Sequence, residues 1–276
     1  MFKNIERRKE IMTIVGIDTG GTNLKMYCKV DEKVYSEHVP TGETFTREIF
    51  LNCVQLFISK LPERPDAVGI AYSGIGSDTR IRKTNRTYLV NLDVSELSFL
   101  NCPVVFLNDS NAATLAGTLE YPDAKVLVGV TNGTGIGAGI CINGHLFTGA
   151  NGYAGEINSN YFGTSGDAIH AGKLCSGLYL NQTLKDVSSE EARQIIAKAA
   201  ENFGLLLTHV INLVNPDVIY LAGGTFRYEN YFDTVVKTVK EKGIDFMVEN
   251  LKIACATNEP YTGCLGAIQY AKQKCF

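Results

Sequence analysis

Two stretches of this chain follow the same short plan: a β-branched strand, a tight turn of glycine and threonine, and a strand that returns at once. In the first, residues 13–17 run into Asp18 and Thr19-Gly20-Gly21-Thr22, and an apolar run at 24–30 follows. In the second, residues 126–130 run into Thr131-Asn132-Gly133-Thr134-Gly135, and 137–142 returns. Each reads as a hairpin closed by a glycine turn. A strand after the glycines excludes both a Walker loop and a Rossmann fingerprint, because each of those needs a helix there. One such unit in each half hints at duplication, with no repeat of fixed period.

The segments between these hairpins fill in an α/β pattern. Residues 45–61 carry Ile49, Phe50, Cys53, Val54, Phe57 and Ile58 at helical spacing. Residues 68–71 form a strand leading into Ser73-Gly74-Ile75-Gly76, and 104–107 form another that ends at Asn108-Asp109, before a helix-compatible run at 111–119. Ser188 and Glu191 have capping-box spacing. Beyond them Ile195, Ala199, Phe203, Leu206, Val210 and Leu213 make one apolar helix face. Pro216 stops that helix, and a strand at 218–221 runs into Ala222-Gly223-Gly224-Thr225. No low-complexity linker separates the halves, so two lobes packed directly are expected, with the ligand site in a cleft between them.

Bulk properties narrow the function. The formal net charge of -3 argues against a nucleic-acid partner, which would call for a basic stripe. No apolar run approaches the length of a membrane span. Residues 1–9 read as a charged leader, or as an upstream extension if translation starts at Met12, and not as a signal peptide. The eight cysteines stand singly, with no C-x-x-C pair, which suits buried free thiols in a reducing, cytoplasmic setting.

Several residues suit phosphate and hydroxyl chemistry. Gly20 and Gly21 let backbone amides approach phosphate oxygens, Thr22 adds a donor, and Asp18 at the strand end can hold Mg²⁺ through water. Gly133, Thr134 and Gly135 offer a second grip on the same phosphate chain. Gly223 and Gly224 leave bare backbone for a flat adenine or ribose. Each of these also suits a plain turn. Asp109 can accept a hydroxyl proton, which is the one group that phosphoryl transfer must place, and a helix N-terminus would keep it ionised. It equally suits an N-cap. Asn108 can both donate to and accept from a sugar hydroxyl. Glu156, ending the small-residue loop Ala150-Asn151-Gly152-Tyr153-Ala154-Gly155, can accept two hydroxyl bonds or stand as an ordinary surface carboxylate.

Taken in order, these segments resemble the ROK family of bacterial sugar kinases and sugar-responsive repressors, over nearly the whole chain. Asp18-Thr19-Gly20-Gly21-Thr22 resembles the family's first phosphate motif and Gly133-Thr134-Gly135-Ile136-Gly137 the second. Asn108-Asp109-Ser110-Asn111-Ala112-Ala113 is similar to the catalytic segment, and Ala154-Gly155-Glu156-Ile157 to the sugar loop. The resemblance implies an α/β, two-lobed actin-like ATPase (ribonuclease H-like) fold with a central interlobe cleft. A small lobe would cover 1–108, completed by a C-terminal helix at 262–276, and a large lobe 109–261. It implies a kinase moving the γ-phosphate of ATP, with Mg²⁺, to a hydroxyl of a hexose or N-acylhexosamine. Asp109 would be the base; Asn108, Glu156, Gly74, Asn91 and Ser159 would meet the sugar. Asp18, Gly20, Gly21, Thr22, Asn23, Gly133, Thr134, Gly135, Gly223 and Gly224 would meet nucleotide and metal. A homodimer is also implied.

One departure stands out. Where the family has Gly-His after the sugar loop, this chain has Asn158-Ser159, and where a cysteine-rich zinc loop should follow it offers only His170 and Cys175. These are too few for a structural zinc site, so no zinc is expected, and the two lost sugar contacts leave Asn158, Ser159 or His170 as candidate replacements. Two other functions fit parts of the pattern. A sugar-sensing repressor would carry a helix-turn-helix ahead of the first motif, where fewer than about twenty residues stand. An actin-fold kinase of a non-sugar, pantothenate-type substrate would lack use for the Glu156 loop.

Overall fold

The computed structural model describes residues 12–257 and 260–276; the expected leader at 1–9 lies outside them. The chain divides into two compact units, the described residues up to Ala112 with Gly263–Phe276, and Ala113–Thr262.

In the first unit, β1 (Ile14–Thr19), β2 (Asn23–Val30) and β3 (Lys33–Pro40) form an antiparallel meander. After helix α1 (Arg47–Ser59), β4 (Ala67–Tyr72) pairs parallel to β1. A small antiparallel pair, β5 (Gly74–Gly76) and β6 (Ile81–Thr84), precedes β7 (Val104–Asn108), which pairs parallel to β4. The five-stranded order is therefore β3-β2-β1-β4-β7. Sequence pattern follows position. Central β4 is buried at every residue, β2 buries alternate residues (Leu24, Met26, Cys28, Val30), and edge strand β3 buries none. Helix α1 begins where the Thr46 hydroxyl accepts from Ile49 N at 3.3 Å, and it buries Phe50, Val54 and Phe57 against Val15, Ile17 and Ile70. The C-terminal helix, Thr262–Cys275, closes the sheet's other face, and it does so at very short range. A β-carbon on Gly16 would overlap the Cys264 carbonyl, and one on Gly69 the Ala267 carbonyl.

Helix α2 (Asp109–Glu120) leads into the second unit, where the plan recurs. Strands β8 (Val126–Asn132), β9 (Ile136–Ile142) and β10 (His145–Leu146) form a meander. A short hairpin, β11 (Tyr161–Phe162) and β12 (Ile169–His170), and helices α3 (Gly172–Cys175), α4 (Gly177–Thr183) and α5 (Ser189–Val214) intervene. Then β13 (Val218–Ala222) pairs parallel to β8. After α6 (Tyr231–Lys242) and α7 (Asp245–Val248), β14 (Lys252–Cys255) pairs parallel to β13, giving the order β10-β9-β8-β13-β14. The third, second, first, fourth and fifth strands thus stand side by side in both units. This is the ribonuclease H-like arrangement, and two copies in one chain are the actin-like ATPase fold that the motifs led us to expect.

The long helix differs from expectation in two details. Ser188 Oγ accepts from Glu191 N at 3.2 Å, which is one half of a capping box. Leu213, placed by periodicity on the apolar face, is 86% exposed, because the core contributed by Phe203, Leu206 and Val210 ends one turn earlier. The helix stops at Asn215, which takes the left-handed conformation (φ 48°) just before Pro216.

Candidate active site

The first glycine turn joins β1 to β2. Asp18 stands directly across the ladder from Lys25, whose ammonium lies 3.4 Å from the Asp18 carboxylate. Burial pushes the Asp18 carboxyl up, and Lys25 opposes that shift. The start of the C-terminal helix packs onto this carboxylate so closely that a β-carbon on Gly263 would sit 2.7 Å from its carbon. The neighbouring turn is also tight: a β-carbon on Gly20 would lie 3.1 Å from the Asn23 carbonyl, while Asn23 Nδ2 donates to the Thr22 hydroxyl at 3.0 Å. Lys25 escaped the sequence reading. Hairpin symmetry was the available signal, since Asp18 and Lys25 are equidistant from the turn.

Asp109 opens α2 at the end of β7. The cap of α2, however, is Asn108. Its Oδ1 accepts from Ser110 N at 2.8 Å and Asn111 N at 3.4 Å, and its Nδ2 donates to the Gly74 carbonyl at 3.2 Å. One amide hydrogen of Asn108 is left for a ligand. Asp109 Oδ1 accepts from Ser110 N at 2.9 Å, and the Ser73 hydroxyl also bonds its carboxylate. Burial, with the Asp18 charge adding to it, lifts the Asp109 carboxyl to about 6. Desolvation and a like charge thus outweigh the helix N-terminus in setting this value, which still leaves the carboxyl ionised at neutral pH. Gly74 sits at φ 150°, where a β-carbon would overlap the Lys83 carbonyl, and Asn91 occupies an exposed turn at φ 60°.

In the second unit, the turn after β8 is held from several sides. Gly133 N donates to the Gly135 carbonyl at 3.0 Å, and Gly177 N donates to the Gly133 carbonyl at 2.7 Å. Buried Asn132 donates through Nδ2 to the Cys175 carbonyl (2.9 Å) and the Tyr231 hydroxyl (3.1 Å), while its own carbonyl accepts from the Thr225 hydroxyl (3.0 Å). Gly223 crosses the Asn132 backbone at φ 121°, where a β-carbon would overlap the Asn132 carbonyl. Gly133 and Gly224 face open space, and Thr134 and Gly135 are exposed. The turn thus combines a rigid underside with a bare outer face.

The loop bearing Glu156 lies on the same unit. Gly155 takes φ 98°, and its carbonyl accepts from Ala138 N at 3.0 Å, which leaves Glu156 exposed before a 3-10 turn at Ile157–Ser159. Asn158 is turned inward: its Oδ1 accepts from Ile136 N at 3.0 Å and packs against Gly172. Its oxygen is therefore a brace of the glycine turn. His170 Nδ1 lies 3.3 Å from the exposed Ser159's carbonyl, and its ring packs on Tyr161 at 4.1 Å between centroids. Cys175 donates to the Ala171 carbonyl at 3.2 Å, and burial pushes its thiol up to about 12, which disfavours the thiolate a metal would need. Among the described residues, no group of three or more His, Cys, Asp or Glu stands together as a metal cluster.

A model of the ROK family matches residues 14–176 and 163–274. The chain belongs to the ROK family. Similar ROK proteins include a xylose repressor of Caldicellulosiruptor bescii, 23% identical over 96% of this chain and 79% of its own length. An N-acetylmannosamine kinase of Vibrio vulnificus is 25% identical over 92% of this chain and 96% of its own. Among solved structures, a ROK family protein from Streptococcus pneumoniae in complex with sucrose superposes with a TM-score of 0.81, at 22% identity over 95% of this chain and 98% of that one. ROK relatives therefore include both kinases and repressors. Among the described residues, no helix is long and apolar enough to cross a membrane.

Proposed function

We propose that the protein is an ATP-dependent kinase that phosphorylates a hydroxyl of a hexose or N-acylhexosamine. The observation that carries this reading is Asp109, a desolvated carboxylate relieved of capping by Asn108 and lifted to about 6, where it is ionised at neutral pH yet basic enough to take a proton. Asp109 accepts the hydroxyl proton as the acceptor oxygen bonds to the γ-phosphorus and the bond to the bridging oxygen of ADP breaks. The Ser73 hydroxyl keeps the carboxylate oriented. Amides of Gly20, Gly21 and Thr22, and of Thr134 and Gly135, donate to phosphate oxygens, with Asn23 supporting the first turn and Gly133, whose own amide bonds the Gly135 carbonyl, shaping the second. Gly223 and Gly224 present bare backbone to the nucleoside. Glu156, Asn108, Gly74, Asn91 and Ser159 bind the sugar.

The carboxylates suit a divalent cation, since burial and mutual repulsion both disfavour their charge and Lys25 offsets only Asp18. Asp18 would hold Mg²⁺ through water. Bound Mg·ATP supplies the phosphoryl group and offsets its negative charge. The reading includes no zinc, a cytoplasmic setting, which the four buried free thiols suit, a homodimer, and neither nucleic acid nor membrane as partner.

ADP release from Mg·ATP across a panel of hexoses and N-acetylhexosamines, with a no-sugar blank, tests the proposal. Stimulation by one or two sugars is expected. The xylose repressor relative supports a second reading, a sugar-responsive regulator. Sugar binding without ADP release by any panel member would replace the kinase with that reading, and release with a non-sugar acceptor alone would point to a pantothenate-type kinase.

A further inference from the structure

Among the described residues, five buried side-chain nitrogen or oxygen atoms have no hydrogen-bond partner, and three of them belong to neighbours of the first glycine turn. They are Thr41 Oγ1, Arg86 Nε and Tyr88 Oη. Thr41 is tied to the turn by its amide, which donates to the Thr22 carbonyl at 2.9 Å. Tyr88 is 6% exposed, packs edge-on against Phe45, and lies close enough to feel the charges of both Arg86 and Asp18. Arg86 brings its guanidinium to the turn itself: a β-carbon on Gly21 would stand 3.0 Å from its Nη2. Unpaired buried donors are costly to keep, and a guanidinium recognises phosphate with a fixed fork of N–H groups.

Arg86 is also connected to the base. Its amide donates to the Thr84 hydroxyl (3.1 Å), which donates to the Ser73 carbonyl (2.7 Å), and the Ser73 hydroxyl bonds Asp109. The residue thus hangs from the hydrogen-bonded segment that orients the proton acceptor, with its cation against the phosphate turn.

We propose that Arg86 is a catalytic residue that binds the terminal phosphate of a nucleoside triphosphate and stays on the phosphoryl group as it moves to the acceptor oxygen. This rests on the kinase reading. The charge that spreads over the phosphoryl oxygens meets a donor already in place, as electrostatic stabilisation of transfer requires.

The test is calorimetric titration of the full chain, unaltered and as Arg86→Leu and Arg86→Lys, with Mg·ADP and with the non-hydrolysable triphosphate analogue Mg·AMPPNP. Arg86→Leu should weaken AMPPNP binding by about tenfold or more, the size of a lost charge-assisted bond, and leave ADP within about twofold. Arg86→Lys, which keeps the charge without the fork, should fall between. Equal effects on both nucleotides, or none, overturn the assignment. Should Arg86→Leu fail to fold, the comparison with Arg86→Lys decides on the same criterion. An unaltered protein that discriminates the two nucleotides through Arg86 but phosphorylates no sugar leaves this inference standing and removes the sugar-kinase reading. Sugar turnover with normal AMPPNP binding in Arg86→Leu does the reverse. Failure of the unaltered protein to bind either nucleotide overturns both.

Discussion

Replacing Asp109 with asparagine should disable the protein and stabilise it at the same time. The carboxyl rises from 3.8 to about 6 on folding, through burial first and the Asp18 charge second. Between those values the folded state holds the proton more tightly than the unfolded chain, so stability falls as pH rises through this window and the full penalty applies above it. A shift of roughly 2 units corresponds to about 3 kcal/mol. Solvent reaching the partly exposed carboxyl reduces this, so Asp109→Asn should gain about 1–2 kcal/mol at pH 7.5. In melting temperature that is a rise of roughly 3–6 °C. The gain should shrink as pH falls through this window and vanish only below 3.8, where the wild-type carboxyl is protonated in both states. Turnover at neutral pH should drop by about 10²–10⁴, the usual contribution of a general base, and the ratio to wild type should narrow below about pH 6. In the wild type, kcat/KM should fall about tenfold from neutral pH to pH 5, with a midpoint near 6. Thermal unfolding at pH 7.5 and 4.5, paired with the ADP-release assay, measures all of this. An Asp109→Asn protein that is less stable by the same amount at both pH values would refute the reasoning, since the carboxylate would then be an uncharged structural anchor of α2.

Other substitutions probe the supports of the site. Asn158→Ala removes the acceptor for Ile136 N and should weaken AMPPNP binding several-fold, read by calorimetry, because the glycine turn of the second unit loses a brace worth about 1 kcal/mol or more. Gly266→Ala should destabilise by more than about 3 kcal/mol in denaturant titration, although alanine favours a helix by about 1 kcal/mol, since its β-carbon would overlap the Ala112 carbonyl. Leu213→Ser should change stability by less than about 0.5 kcal/mol, as fits a side chain outside the core.

The fold was legible because its signals are local and periodic. The alternation of β2, the unbroken apolar run of β4 and the spacing of Phe203, Leu206 and Val210 each state which face is buried without reference to any other segment. Leu213 misled because periodicity gives a direction on a helix and not where the core ends. The roles at 108 and 109 were not separable from the chain alone, since either residue suits a cap. Which one caps depends on where Gly74 and Ser73 lie, more than thirty residues away.

The sequence by itself determined the two hairpins, the pairing of each glycine turn with a strand end, and the placement of Asp18 and Asp109 where strands stop, because strand period and turn chemistry are properties of neighbouring residues. Tertiary structure decided the charges. Asp109 is lifted to about 6 by burial and by Asp18, and Arg86 reaches Gly21 only because β5 and β6 carry it there. Desolvation and Coulomb interaction depend on distance in space, which the order of residues along the chain does not contain.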